Sequence, residues 1–295
     1  MKFTLTGSLG HISRPLAQQL LAAGHDVTII SHSSDRAAEI TALGATPAIG
    51  SIADAHFLAQ AFARADAVYL MITAAQGDAD LFEAGRQQAI TYATAVKAAG
   101  VKRVVNLSSV GANLGPEVGA LHIYNVIEHQ LTHDLPGISL TFLRPTAMFY
   151  NLFSSLPSIK RDHTIYTNSS LTKKNSWVAP ADIAPIAAQA LVAPQPGITS
   201  QYIASDEQSY SDVATILATA CHLPDLKAVQ ISDEAMLQNL LASGAPATFA
   251  RQYIKMTAFE RDHDFYADYR AHHPLLGPTK LTDFATTDFA QAYTR

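Results

Sequence analysis

The chain has a single cysteine, Cys221, among its 295 residues. One thiol cannot form an internal disulfide, so the fold must be stable without one. A zinc site built from several cysteines is excluded for the same reason. We expect this thiol to be buried, as most unpaired cysteines are, and its isolation favours a reducing compartment.

An excess of positive charge and long apolar runs are also missing. The formal net charge is -5, and the lysines and arginines form no basic stripe, which makes nucleic acid a poor candidate for a partner. No uncharged apolar stretch reaches the roughly 18 residues of a membrane helix. The first apolar run is interrupted at Gly7, Gly10 and His11, too early for a signal peptide. We therefore expect a soluble cytoplasmic protein with no membrane contact.

Residues 1–110 alternate between two hydrophobic patterns. Runs of strand length, such as "KFTLTG" and "DVTIIS", flank the helical spacing of "SRPLAQQLLAAG", which ends at Gly24. "AVYLMIT" and "KRVVNLSSVG" continue the strands, and the long helix "LFEAGRQQAITYATAVKAAG" between them stops at Gly100. Strands that are apolar throughout suit a parallel sheet covered on both faces. The alternation predicts an α/β fold with a doubly wound parallel sheet.

The pattern changes beyond Pro136. "ISLTFLRPT" predicts a sixth strand, whereas residues 148–170 show no clear period and are interpreted as a substrate lid. Helices are predicted after Asp182, or a neighbour of it, as cap and after Ser209 or Ser211 as cap, with the strand "QYIAS" between them. The chain from about Asp233 is helix-rich and ends in a loose tail, "GPTKLTDFA". We place a domain boundary near residue 150, with a smaller helix-rich domain over 151–295 from which segments can return to the first sheet.

The turn after the first strand reads Gly7, Ser8, Leu9, Gly10, His11, Ile12, Ser13. Glycine at 7 allows a tight bend, and glycine at 10 removes a Cβ where a pyrophosphate would approach the amides and dipole of the helix N-terminus. Ser13 takes the third small position. A plain connecting turn is the alternative reading. Within the first β-α-β unit, this turn predicts that residues 1–150 form an NAD(P)-binding domain.

The end of the second strand indicates which dinucleotide is bound. An acidic residue there accepts hydrogen bonds from a ribose 2'-hydroxyl, whereas a basic residue accommodates a 2'-phosphate. The stretch "SHSSDR" leaves the strand end neutral, with Arg36 and His32 nearby and Asp35 as the competing carboxylate. NADP is therefore favoured over NAD. The alternative is that Arg36 is a solvated residue at a helix start.

A resemblance to a known family rests on motifs that occur in order along residues 1–205. They are "TGSLGHISRPLAQQLLAAGHDVTII", "ATPAIGSIAD", "ADAVYLMIT", "VKRVVNLSSVGA", "VIEHQL", "LTFLRPTAMFYN" and "VAPADIAPIAAQAL". Together they resemble the NmrA-like branch of the atypical short-chain dehydrogenase/reductases. The remaining C-terminal third resembles that family's variable substrate-side domain only loosely.

The resemblance implies where parts of the cofactor lie. Gly50, Ser51 and Ile52 would lie beside the adenine, and Ile72, Thr73 and Ala74 would pass along the adenosine. Ser108 and Ser109 would close the fifth strand near the nicotinamide, and the segment from Pro145 to Met148 would flank the nicotinamide amide.

The reactive pair of the superfamily is broken in this chain. Classical members use a tyrosine and a lysine four residues apart on one helix face, where the lysine lowers the pKa of the tyrosine. Here Tyr124 is followed four residues later by Glu128, and an alignment on "VIEHQL" places the pair on Leu121 and Asn125 instead. A tyrosine without its cation stays protonated near neutral pH. Ser108, Tyr124 and His122 are the candidates for orienting a substrate, with a strand-end cap, a packed aromatic and a polar helix face as their structural alternatives.

Three other groups of residues are weaker indications of a functional site. His129 and His133 in "HQLTH" have metal-ligand spacing, but Gln130 stands where a catalytic glutamate would be, so no metal site is predicted. Asp262, His263 and Asp264 are interpreted as a solvated helix face. Five aromatic side chains could line a flat apolar pocket or belong to the core, namely Phe149, Tyr150, Phe153, Tyr166 and Trp177.

Two functions follow from the sequence. The first is an NAD(P)H-dependent reductase of quinones or other small conjugated carbonyl compounds, because a quinone forms a stabilised phenolate-like product and needs little proton transfer. The second, motivated by the broken pair, is a non-catalytic redox sensor that binds the dinucleotide and reports to a protein partner. The resemblance covers both, since some NmrA-like proteins are sensors and others are quinone reductases.

Overall fold

The computed structural model describes residues 1–72, 80–193 and 195–295. Contacts between Cα atoms divide the chain into two compact units. The first unit comprises Met1–Ala112, Ile123–Arg144 and Ile183–Gln201, and the second comprises Asn113–His122, Pro145–Asp182 and Tyr202–Arg295. The predicted single boundary near residue 150 stays a prediction.

A seven-stranded parallel sheet organises the first unit, and its strands are the apolar, β-branched runs of the sequence. In chain order they are β1 (Lys2–Leu5), β2 (Asp26–Ser31), β3 (Thr46–Ile49), β4 (Ala67–Leu70), β5 (Arg103–Leu107), β6 (Ser139–Pro145) and β10 (Ile198–Ile203). Their order across the sheet is β10-β6-β5-β4-β1-β2-β3. The strand order reverses between β1 and β4, and ligands of open parallel sheets bind at the carboxyl edge of such a reversal. The predicted doubly wound fold is confirmed.

Amphipathic helices connect these strands. They are α1 (Ser13–Ala22), α2 (Ala37–Ala42), α3 (Ala55–Phe62), α4 (Leu81–Ala99), α5 (His122–Asp134) and α7 (Pro180–Val192). Gly100 closes α4 in the left-handed conformation, as the sequence predicts. Val68, Leu70, Tyr92 and Val104 are fully or almost fully buried in the core between the sheet and its helices.

The second unit contains two small sheets and a set of helices. Strands β7 (Ala147–Met148), β9 (Asn175–Val178) and β11 (Asp206–Gln208) form one sheet, and β8 (Thr164–Thr167) pairs with β12 (Lys227–Gln230) in the other. The helices are α6 (Leu156–Asp162), α8 (Tyr210–Cys221), α9 (Asp233–Ala242), α10 (Ala247–Asp262), α11 (Ala267–Ala271), α12 (Leu281–Phe284) and α13 (Ala290–Thr294). Ser209 caps α8 in a capping box with Asp212, which decides between the two predicted caps.

The segment interpreted as an irregular lid has regular structure. It holds β7, a 3-10 helix over Phe149–Ser155, α6 and β8. The sequence lacks a clear period there because each element is short, and because β8 finds its partner β12 about 60 residues further along the chain.

The prediction of a loose tail was wrong. Phe284 and Phe289 are buried, and both pack against Phe153 with ring centroids 5.3 and 5.7 Å away. Asp182 helps to hold the start of this tail, because its carboxylate accepts hydrogen bonds from Thr279 Oγ1 at 2.8 Å and from Thr279 N at 3.1 Å.

The expectation for the single thiol has a structural counterpart. Cys221 is buried in the second unit as expected, and burial raises the pKa of its thiol. Within the part of the chain that the structure describes, no helix combines the length and apolarity that crossing a bilayer requires.

Candidate functional site

The bend after β1 needs a glycine at position 7. Gly7 has φ +89°, and a Cβ built on it would lie 2.1 Å from Met71 Sδ. Gly10 has no such backbone requirement, and a Cβ there would meet only Gly7 O, at 3.1 Å. Gly10 and His11 are exposed, whereas Leu9 and Ile12 are buried. The bend therefore presents exposed backbone at its outer side, as the sequence predicts for an approaching phosphate.

The N-terminus of α1 is open to an anion. No side chain in the described part of the chain caps it, and its first turn contains no acidic residue. Ser13 donates its hydroxyl to Thr6 O at 3.0 Å, which satisfies the strand-end carbonyl and turns this side chain away from the helix amides. Arg14 N donates to Gly10 O and Pro15 has no N–H, so it is mainly the helix dipole that favours a negatively charged group at this position. The residues present therefore fit a dinucleotide diphosphate.

The end of β2 is neutral. Ser31 is buried, and its hydroxyl oxygen accepts a hydrogen bond from the Ser8 hydroxyl at 3.0 Å. His32 is exposed, and Asp35 is exposed in a short 3-10 helix whose N-cap is Ser33. No carboxylate occupies the last position of the strand, the one from which a 2'-hydroxyl is usually held.

Two guanidinium groups meet one carboxylate near this strand end. Arg36 Nη1 lies 2.7 Å from Glu39 Oε2, and Arg14 Nη2 donates to Glu39 Oε1. Hydrogen bonds from Arg14 and then from Arg36 lower the pKa of the Glu39 carboxyl. Arg36 is predicted from the sequence but Arg14 is not, although a basic residue in the first turn of the first helix is a visible signal. Its partnership with Arg36 runs through Glu39 and could not be read from spacing.

This pair leads to a prediction about cofactor choice. Arg36→Ala should weaken NADPH binding far more than NADH binding, by about 1.5 to 3 kcal/mol for a charge-assisted contact. Arg14→Ala should show the same selectivity to a smaller extent, because Arg36 remains. The measurement is calorimetric titration of each variant with both dinucleotides. Arg64→Ala, at an exposed arginine elsewhere in the first unit, is the control. Equal losses for the two dinucleotides would remove the assignment.

The residues expected beside adenine follow β3 directly. Gly50 donates its amide to Ser31 O at 2.9 Å, which ties this segment to the end of β2. The Ser51 hydroxyl accepts from Ala53 N, and Ile52 O accepts from Gln88 Nε2 at 2.7 Å. Both contacts order the segment at the sheet edge. Thr73 and Ala74, expected along the adenosine, lie outside the described residues.

A buried polar network surrounds Ser108 at the end of β5. Its hydroxyl donates to Glu128 Oε1 at 2.5 Å, and Arg144 binds both oxygens of the same carboxylate through Nε at 3.0 Å and Nη2 at 2.7 Å. The side chains of Glu128 and Arg144 are only 10% and 12% exposed. The sequence shows Glu128 in the place of a lysine, but it does not indicate that Arg144 balances the charge of this carboxylate.

Helix α5 carries the other two proposed orienting residues. His122 begins this helix, and both it and Tyr124 are partly buried. Asn125, in the alternative lysine position, donates its amide to Ala112 O at 2.9 Å. Helix α5 is described throughout and contains no lysine. Pro145 ends β6.

The second unit contains a cavity of about 140 Å³ with aromatic walls. Of the five aromatic residues predicted for a pocket, Tyr166 and Trp177 line it. Phe149 and Phe153 instead pack with Phe284 in the core. The remaining walls include side chains that the sequence analysis did not select, namely Asn175, Tyr210, Tyr253, Met256 and Glu260.

Glu260 is the acidic group of this cavity. The buried Tyr266 donates its hydroxyl to Glu260 Oε1 at 2.7 Å. Burial raises the pKa of the Glu260 carboxyl, opposed by the Tyr266 hydrogen bond and the Lys173 ammonium. The local sequence does not distinguish Glu260 from the polar residues that follow it. Only the structure separates them, because Asp262, His263 and Asp264 are exposed.

Comparisons with known proteins show the family of the chain. Residues 7–194 match the model of a family described as NAD(P)H-binding. An NAD(P)H azoreductase of Xenophilus azovorans is 26% identical over 255 residues, which cover 83% of this chain and 82% of that protein.

Two solved structures share the fold. The NADPH-dependent quinone oxidoreductase of Escherichia coli, solved with NADPH, has a TM-score of 0.78 at 20% identity, over 97% of this chain and 99% of that one. The triphenylmethane reductase of Citrobacter sp., solved with NADP(H), has a TM-score of 0.76 at 20% identity, over 98% and 99%. The family match spans more than half of the chain and includes the glycine bend. The chain belongs to the NAD(P)H-binding family.

Proposed function

We propose that the protein is an NAD(P)H-dependent reductase of quinones or other small conjugated carbonyl compounds. The observation that carries the proposal is the uncapped N-terminus of α1 behind the Gly7 bend, because the helix dipole favours a negatively charged diphosphate at that position. The similarity to an azoreductase and to a quinone oxidoreductase supports reduction of a conjugated acceptor.

The cofactor would lie along the carboxyl edge of the central sheet. We assign the diphosphate to the backbone of Gly7, Leu9, Gly10, His11 and Ile12. Ser51 and Ile52 would contact the adenine, Thr73 and Ala74 the adenosine, and Ser108 and Pro145 the nicotinamide. When bound, the dinucleotide would supply a hydride. NADP is proposed over NAD because Arg36, with His32 and Arg14 beside it, lies near a strand end without a carboxylate.

The chain lacks the usual residues for delivering a proton to the substrate. This favours substrates whose reduced product needs little help with protonation. Tyr124 has no lysine four residues away, so the usual means of lowering its pKa is missing. A quinone tolerates this because its reduced product is a stabilised phenolate that water or a hydroxyl can protonate. Ser108, Tyr124 and His122 are accordingly proposed to orient the acceptor. The Ser108 hydroxyl proton is already committed to Glu128, so its oxygen would act as an acceptor.

Turnover tests the proposal. NADPH oxidation should be saturable with at least one member of a panel of benzoquinones, naphthoquinones and enals, assayed without oxygen, and NADPH should be used faster than NADH. Binding of NADPH is measured in the same preparation. Intact binding without turnover on the whole panel would contradict the reductase.

Intact NADPH binding without turnover would favour the redox sensor. A sensor should bind oxidised and reduced cofactor with different affinities, and its capture of a protein partner should depend on the cofactor. Partner binding that is the same with and without dinucleotide would contradict sensing.

A further inference from the structure

The cavity of the second unit has the size of one aromatic ring. Its volume is about 140 Å³, and an apolar protein cavity of roughly 150 Å³ accommodates one benzene molecule. Trp177 and Tyr210 form part of its wall and meet edge to face, with ring centroids 5.9 Å apart. The Trp177 indole is held in place because Nε1 donates to Gln208 O at 3.0 Å. These walls offer a flat ring faces and edges to pack against.

Two polar groups in the cavity have hydrogen-bonding capacity to spare. The side chain of Asn175 lines the cavity, is 7% exposed, and makes no hydrogen bond to any residue that the structure describes. Tyr266 occupies Glu260 Oε1, and no described residue bonds Oε2. Both residues line the cavity, where a ligand or water can satisfy these groups. The cavity therefore combines aromatic and methionine side chains with several polar ones, and among the polar groups Asn175 and Glu260 Oε2 have hydrogen-bonding capacity left for a ligand.

From this arrangement we propose that the cavity binds a single six-membered ring bearing an oxygen, with Asn175 and Glu260 holding that oxygen. A quinone carbonyl accepts from the Asn175 amide and from the Glu260 carboxylic acid. The hydroquinone donates its hydroxyl to the Glu260 carboxylate and still accepts from Asn175. The same two residues therefore suit the oxidised and the reduced ring. The identity of the ring as a quinone rests on the proposed function, whereas the existence of the site does not.

The raised pKa of Glu260 supports this pairing. Burial favours the neutral acid, and the neutral acid is the form that can donate to a carbonyl. The groups that face this carboxyl are Tyr266, which donates to it, Tyr253 and Tyr210 in the cavity wall, and Lys173, whose Nζ donates to Glu260 O at 3.0 Å.

The test measures binding to the full chain without any nicotinamide. The probe is p-xyloquinone, titrated calorimetrically, with p-xylene as the matched ring that lacks oxygens. Trp177 is the only tryptophan of the chain, so its emission reports occupancy independently. We expect saturable binding of p-xyloquinone and at least about tenfold weaker binding of p-xylene, since one lost hydrogen bond is worth roughly tenfold.

Variants assign the two polar groups. Asn175→Ala and Glu260→Ala should each weaken p-xyloquinone binding about tenfold, whereas Glu260→Gln, which keeps a donor, should stay within about threefold of the unmodified chain. Glu234→Gln, at an exposed glutamate of α9, is the control and should change nothing. Thermal melts verify that each variant is folded. Glu260→Ala removes the hydrogen-bond partner of Tyr266, and if that variant unfolds, Asn175→Ala alone is used for the test.

The failures are distinguishable. Absence of saturable heat, equal affinity for p-xylene, or unchanged affinity in both alanine variants would overturn the site. If the quinone fails to bind here while NADPH-dependent turnover is present, the reductase stands and this site falls. If p-xyloquinone binds as described but nothing is reduced, the site stands and the reductase falls.

Discussion

Gly10→Asp should abolish NADPH binding while leaving the protein folded. Gly10 does not need a positive φ, and its Cβ would lie 3.1 Å from Gly7 O, so a side chain fits here once the bend shifts by a few tenths of an ångström. A carboxylate at this end of α1 interacts favourably with the helix dipole, by about 0.3 to 1 kcal/mol, so the fold should not be destabilised. Facing a diphosphate, the same carboxylate is repelled by about 4 kcal/mol per charge at roughly 4 Å and an effective dielectric of about 20.

The expected result is at least a hundredfold loss of NADPH affinity, which corresponds to about 2.7 kcal/mol. Calorimetric titration measures the affinity, and a thermal melt confirms the fold. Gly10→Asn is the matched control, because it adds nearly the same volume without the charge and should retain more of the binding. A Gly10→Asp protein that binds NADPH as tightly as the unmodified chain would show that the phosphates lie elsewhere.

Arg144→Met should destabilise the protein by about 3 to 5 kcal/mol. The guanidinium is the countercharge of Glu128, and neither side chain is more than 12% exposed. Removing one partner of a buried ion pair leaves the other as an uncompensated buried charge, which costs far more than the pair itself contributes. The free energy of unfolding, measured in urea, tests this.

A second substitution separates charge from packing. Glu128→Gln combined with Arg144→Met removes the stranded charge but keeps an acceptor for Ser108, so at least about 1.5 kcal/mol should be recovered. Arg161→Met is the control, since Arg161 pairs with Asp162 at the surface and its loss should change stability by no more than about 1 kcal/mol. Equal effects of Arg144→Met and Arg161→Met would mean that the buried network does not stabilise the first unit.

The first unit was predictable because its signals are local. Strands β1, β2, β4, β5 and β6 are short apolar runs with helical patterns beside them, and Gly24, Gly100 and the bend at Gly7 mark the ends of elements directly. The position of the diphosphate is predicted by the same local rule, since the bend and the start of α1 are adjacent in the chain.

The second unit was harder because its elements depend on distant partners. Strand β8 is defined by pairing with β12, and the last helices are held by Phe153 and by the contact of Asp182 with Thr279. Periodicity carries no information about such pairings. The tail therefore looked loose in the sequence and is packed in the structure.

The polar residues of the sites show the same division. Arg36 could be selected because it follows the second strand, but Arg14 joins it only through Glu39. Glu128 was visible as a substitution for lysine, yet its charge is balanced by Arg144, sixteen residues later. Glu260 could not be selected at all, because only the folded cavity separates it from the exposed acidic residues beside it.

The most direct test of the central claim is calorimetric titration of the purified full chain with NADPH, NADP and NADH. We expect saturable heat at one site, tighter binding of NADPH and NADP, which carry a 2'-phosphate, than of NADH, and loss of that heat in Gly10→Asp. Absence of heat with every nicotinamide dinucleotide would contradict the assignment of the first bend as a diphosphate site, and the proposed reductase would fall with it.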